Sequence, residues 1–154
     1  MKKFQILLLW VVMTWLILPV GCNKPHAIKT YIVTGNITLN GHPLSNAGVN
    51  FNPQGSVGNA AYGITDENGT YKLQTLQGES DAGTTPGEYI VTIHKSVSET
   101  TGKKIIDPDT RELVDELKTK EIVPDIYKNP QKTKLTAVVV AGQTNTFDFN
   151  LKSK

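Results

Sequence analysis

The sequence predicts an all-β protein, an antiparallel β-sandwich of about seven strands with one short helical insertion. Three observations predict it. Apolar residues alternate with polar ones over short stretches from Val33 to Leu151, the period of a half-buried strand. Turn signals built on glycine, proline and asparagine separate those stretches at short intervals. Only residues 96–134 break the rhythm.

The elements follow in order. Val33, Gly35, Ile37 and Leu39 alternate and stop at Asn40-Gly41, a pair that tolerates positive φ at both positions. Ala47, Val49 and Phe51 share one face of the next strand and Asn50 and Asn52 the other, before Pro53 and Gly55 end it. Tyr62 and Ile64, then Tyr71 and Leu73, alternate on either side of Asp66-Glu67-Asn68-Gly69. This reads as a hairpin between Tyr62–Thr65 and Tyr71–Leu76, with Ile64 among its core residues. In its turn, Asp66 caps backbone amides, Asn68 favours the bend and Gly69 supplies the left-handed position. Pro86-Gly87 leads into a strand that directs Tyr89, Val91 and Ile93 to one side.

The insertion reads differently. Asp107-Pro108 suits a helix start, with Asp107 as N-cap, and Leu113, Val114 and Leu117 have helix-compatible spacing. Pro124 and Pro130 bracket a loop pinned by Ile126 and Tyr127. The chain closes with two strands around Ala141-Gly142-Gln143, the last one turning Phe147, Phe149 and Leu151 inward.

The N-terminus carries a different signal. Lys2 and Lys3 precede an apolar run from Phe4 to Leu18 that stops at Pro19, the layout of an export signal. The run falls short of the roughly 20 residues that span a bilayer comfortably, which weakens the alternative of a retained anchor. Leu18-Pro19-Val20-Gly21-Cys22 resembles a lipobox, in which cleavage falls between Gly21 and a cysteine carrying diacylglycerol. Cys22 is the only cysteine of the 154 residues, so an intrachain disulfide is excluded. A leftover thiol in a linker is the plain alternative. The expected organisation is a signal peptide over residues 1–21, a lipidated tether over 22–30 and a β-sandwich domain over 31–151.

Loss of Lys2 and Lys3 with the signal brings the 16 basic residues level with the 14 acidic ones. The basicity of the precursor therefore belongs to the signal, and nucleic acid is not an expected partner.

Gly35, Ile37, Gly41, Pro43, Leu44, Ala47 and Val49, followed by Thr65, Asp66, Gly69 and Tyr71, reproduce the order of motifs in carboxypeptidase regulatory-like domains. With Pro124, Tyr127 and the Phe147–Leu151 close, the chain resembles the small lipoproteins of this type common in planctomycetes. The resemblance implies a transthyretin-like Greek-key sandwich. It says little about activity, because its motifs are turn and core motifs.

Candidate chemistry is sparse. His26, His42 and His94 are the only histidines and lie far apart in the chain, without metal-ligand spacing. The serines lack a nucleophile-elbow pattern, and Asp107 with Asp109 suits a cap or a solvated face better than a catalytic pair. Asp66 and Asn68 could offer oxygens to calcium, but no further ligands follow at loop spacing. Enzymes that share the implied fold also differ. Hydroxyisourate hydrolases end in Tyr-Arg-Gly-Ser, where this chain ends in Asn150-Leu151-Lys152-Ser153-Lys154. Intradiol dioxygenases hold iron with two tyrosines and two histidines, and no clustered set of that kind occurs.

The expectation is a non-catalytic, lipid-anchored cell-envelope protein that needs no cofactor. Its partners would be a membrane, through the lipid, and an envelope protein or glycan. Asn23 stands where aspartate would retain a lipoprotein at the inner membrane, so the outer membrane is preferred in a diderm host. The alternative is a module that binds a small ligand or polysaccharide, although both tryptophans, the usual sugar-stacking residues, lie in the signal. A convergent enzyme ranks third.

Overall fold

A computed structural model describes residues 29–55, 58–75 and 83–153. Cys22, Gly21 and the rest of the signal and tether up to residue 28 lie outside the described residues.

The fold is an all-β sandwich. Its first sheet is organised around β1 (Val33–Leu39). On one side β1 pairs antiparallel with β5 (Thr70–Lys72) and β2 (His42–Pro43). On the other it pairs parallel with β11 (Asn145–Thr146) and β12 (Phe149–Leu151). The second sheet runs, in order, β10 (Thr136–Val139), β7 (Gly87–His94), β3 (Gly48–Pro53), β4 (Ala61–Ile64) and β6 (Gln74–Thr75). All of its pairings are antiparallel. A separate ribbon pairs β8 (Ser96–Ile106) with β9 (Leu113–Glu121), and one helical turn, α1 (Asp125–Lys128), follows it.

Phe51 stands at the centre of the core. Its ring lies 5.7 Å from Tyr89, 6.0 Å from Phe147, 6.3 Å from Tyr71 and 6.4 Å from Phe149, centroid to centroid. Two of these partners belong to sheet strands facing one another, Tyr71 in β5 and Tyr89 in β7, so one side chain ties the layers together. Val33, Ile37, Val49, Leu73, Val91 and Ile93 complete the buried set. Each alternates with an outward residue, as the strand period requires.

Several expectations need correction. The sandwich is not wholly antiparallel, because β10 and β11 do not pair. The chain crosses from the second sheet to the first at residues 140–144 and enters beside β1 in the same direction. The buried Asn145 side chain holds that corner, accepting from Val140 N and donating to Val140 O and Gln143 O.

The hairpin over Tyr62–Leu76 holds only at its open end, where Ala61 faces Thr75 and Tyr62 faces Gln74. Thr70–Lys72 peels away and pairs with β1, so the Asp66–Gly69 turn joins the two sheets. Ile64 and Tyr62 therefore face outward, and Ala61 and Gly63 face inward. Leu76 lies outside the described residues.

The segment of Leu113, Val114 and Leu117 read as helical is strand instead, the β9 stretch Leu113–Glu121. Ser96–Ile106 supplies a β-branched partner, and the Asp107 carboxylate accepts from Asp109 N and Thr110 N to cap the connecting turn. An aspartate that caps a turn and one that caps a helix use the same chemistry. The only helical residues described are those of α1, within the segment read as a loop.

Candidate functional site

The motif residues serve the fold. Thr65 is buried; its hydroxyl donates to Leu44 O and accepts from Ala47 N at 2.8 Å. This locks the link between β2 and β3 against the end of β4. Asp66 Oδ1 accepts from Asn68 N at 2.9 Å and Thr70 N at 2.8 Å. Gly69 has φ +77, and its amide donates to Asp66 O. That oxygen of the first calcium candidate is thus engaged by backbone, while Asn68 contributes its amide to the turn. Among the described residues no three His, Cys, Asp or Glu side chains cluster as metal ligands do.

The Tyr71 hydroxyl donates to Phe147 O at 2.8 Å. Burial first, and the Asp148 charge second, push its pKa far above the ordinary value. Tyr89 donates to Thr85 O at 2.7 Å, with the Thr84 and Thr85 hydroxyls beside it. Tyr127 accepts from Lys152 N at 3.2 Å, pinning the stretch after β12 to α1. On α1, Lys128 pairs with Asp125 at 2.6 Å and Glu121 at 2.9 Å. The Lys128 hydrogen bond holds the Asp125 carboxyl below its ordinary range.

What remains for recognition is the outer face of the second sheet. Registers β6–β4, β4–β3 and β3–β7 set Gln74, Tyr62 and Asn50 in one row that ends on the buried Thr92. Tyr62 is 42% exposed and forms a ridge between two shallow depressions. One, of about 270 Å³, is bounded by Asn50, Asn52, Thr92 and Pro130. The other, of about 580 Å³, is bounded by Ile64, Lys72, Gln74 and Thr34. Asn50 Nδ2 lies 3.3 Å from His94 Nδ1, and the imidazole rests over Gly48, where a Cβ would collide with it. Asn52 donates to Ile90 O and Thr92 Oγ1 at 3.3 and 3.4 Å. An exposed ring between amides and a lysine can stack on and hydrogen-bond to a polar ligand.

The sequence alternation correctly put Asn50 and Asn52 on the outer face. It placed Ile64 in the core, although the small residues Ala61 and Gly63 were the available signal that β4 turns its small side inward.

No protein family matches the chain in sequence, and no curated protein does. Among solved structures it is similar to a 9R-lipoxygenase from Cyanothece PCC8801, at 15% identity and a TM-score of 0.33. The match takes in 97% of this chain, which spans 23% of that enzyme's length.

Proposed function

We propose that this is a non-catalytic lipoprotein of the cell envelope, held by acyl chains on Cys22 and presenting a carboxypeptidase regulatory-like sandwich as a structural and interaction domain. The observation that carries the reading is the commitment of Thr65, Asp66 and Tyr71 to backbone partners. These polar residues of the sequence motifs build the joint between the sheets. The lipobox-like Leu18–Cys22 stretch supports the anchor, since each buried acyl methylene adds about 0.8 kcal/mol of membrane affinity. An outer-membrane position in a diderm host agrees with Asn23.

Labelled palmitate tests the anchor. It should enter the wild type and not Cys22→Ser, and the serine variant should leave the membrane fraction without detergent. Equal labelling of both would refute the lipoprotein reading.

The row Gln74-Tyr62-Asn50, with Tyr62 exposed at its centre, favours a second reading, a module for glycans or another small polar ligand. A glycan array probed with wild type and Tyr62→Ala decides it. Binding that is lost in the variant supports the module, and binding that survives places the ligand elsewhere.

A further inference from the structure

We propose that the β8–β9 ribbon is a dimerisation element, in which the free edge of β9 pairs antiparallel with β9 of a second copy about a two-fold axis at Leu117. Among the described residues β9 pairs with β8 alone, and the two strands pack against each other and little else. Leu113 and Leu117 are 70% and 65% exposed. A nine-residue edge without proline invites another strand. The β8 edge differs, because its register shifts between Thr100 and Lys104 and interrupts a regular ladder.

The hydrogen-bonding direction of β9 is fixed at both ends. Asp107 N donates to Glu112 O, and Ile122 N donates to Lys95 O. Antiparallel pairs alternate, so even-numbered residues of β9 address β8 and odd-numbered ones direct N–H and C=O outward. A two-fold pairing must therefore match odd residues with odd ones, leaving only a few registers near the middle of the strand.

Charge selects one of them. Centring on Asp115, Glu116 or Lys118 sets that charge against its own copy. Centring on Thr119 opposes Lys118 to Lys120. Centring on Leu117 opposes Leu117 to Leu117 and Asp115 to Thr119, with Glu116 against Lys118 twice. These two Glu–Lys pairs occupy non-hydrogen-bonded positions, where side chains approach most closely. Lys118 makes no ion pair among the described residues, whereas Lys104 and Lys120 are paired within the ribbon. Glu116 accepts from Thr101 through Oε2, leaving Oε1 for the partner lysine.

The test uses the full chain, extracted in mild detergent and examined by sedimentation velocity. Wild type should sediment as a dimer. Glu116→Lys and Lys118→Glu each turn both cross-pairs repulsive and should raise the dimer Kd at least about tenfold. Mixing the two variants restores both pairs and should yield a heterodimer, and the double exchange in one chain should again form homodimers. Recovery on mixing also shows that the single variants are folded. A monomeric wild type, or single variants that dimerise as well as wild type, would overturn the proposal.

Discussion

The Tyr71 hydroxyl reaches the Phe147 carbonyl across Gly35, at 2.8 Å. Tyr71 lies opposite Gly35 on β5, and the Phe147 carbonyl turns inward on the other side of β1. A Cβ on Gly35 would lie 1.8 Å from Phe147 O and 2.9 Å from the Tyr71 ring. The missing side chain therefore permits the hydrogen bond that links β5 to the segment joining β11 and β12. Gly35→Ala should abolish cooperative unfolding or lower its midpoint severely, as followed by near-ultraviolet circular dichroism.

Tyr71→Phe tests the bond itself. It removes a donor to a part-buried carbonyl, so we expect a loss of about 1–2 kcal/mol at neutral pH. The raised pKa adds a signature in alkali. A tyrosine whose folded pKa exceeds its unfolded value contributes stability that is complete below the ordinary value of 10.0 and is lost as pH rises above it. Urea midpoints should therefore converge for wild type and Tyr71→Phe above that pH. Parallel curves would show that burial does not hold Tyr71 neutral.

Thr65 supports the opposite edge of the same joint. Thr65→Val keeps the shape but leaves Leu44 O and Ala47 N without their side-chain partner, at a cost of about 2–3 kcal/mol. Thr65→Ser keeps the hydroxyl and should lose about 1 kcal/mol, through a missing methyl. Equal losses in denaturant titrations would mean that packing, not hydrogen bonding, gives Thr65 its place.

The Asp66 turn was legible in the sequence because its chemistry is local: a carboxylate, two amides and a glycine within a few residues. The alternation of β1, β3 and β7 was legible for the same reason. Which sheet receives a strand is not local. Tyr71 and Leu73 point inward whether the chain after Gly69 returns to β4 or crosses to β1, so alternation cannot distinguish a hairpin from a joint between sheets. Leu113, Val114 and Leu117 suit a helix, while Leu113, Asp115 and Leu117 equally share one side of a strand. Here the partner strand decides. At the outer face, Ile64 was misplaced because its hydrophobicity outweighed the small residues Ala61 and Gly63 that β4 turns inward.

Calcium provides a check on the turn. Asp66 Oδ1 is occupied by the amides of Asn68 and Thr70, so neither added calcium nor chelator should move the thermal midpoint. Asp66→Ala should lower it in both conditions. A midpoint that rises with calcium in wild type and not in the variant would assign the metal to this turn.

Gly69 and Gly55 separate two sources of cost. Gly55 has φ +81 and Gly69 φ +77. Both positions therefore penalise a side chain through the left-handed backbone. They differ in space. A Cβ on Gly69 would lie 2.5 Å from Ile37 O and 3.1 Å from Leu44 N, whereas one on Gly55 meets nothing within 4 Å. The backbone of β1 cannot withdraw from Gly69, because Ile37 N donates to Gly69 O and Ile37 O accepts from Leu44 N. Alanine at residue 55 should thus cost about 1 kcal/mol, and alanine at residue 69 about 3 kcal/mol, once strain and collision combine. Valine should widen the gap. Equal losses for the two alanine variants in urea denaturation would show that β1 yields at Ile37, and that the turn does not fix the spacing between the sheets.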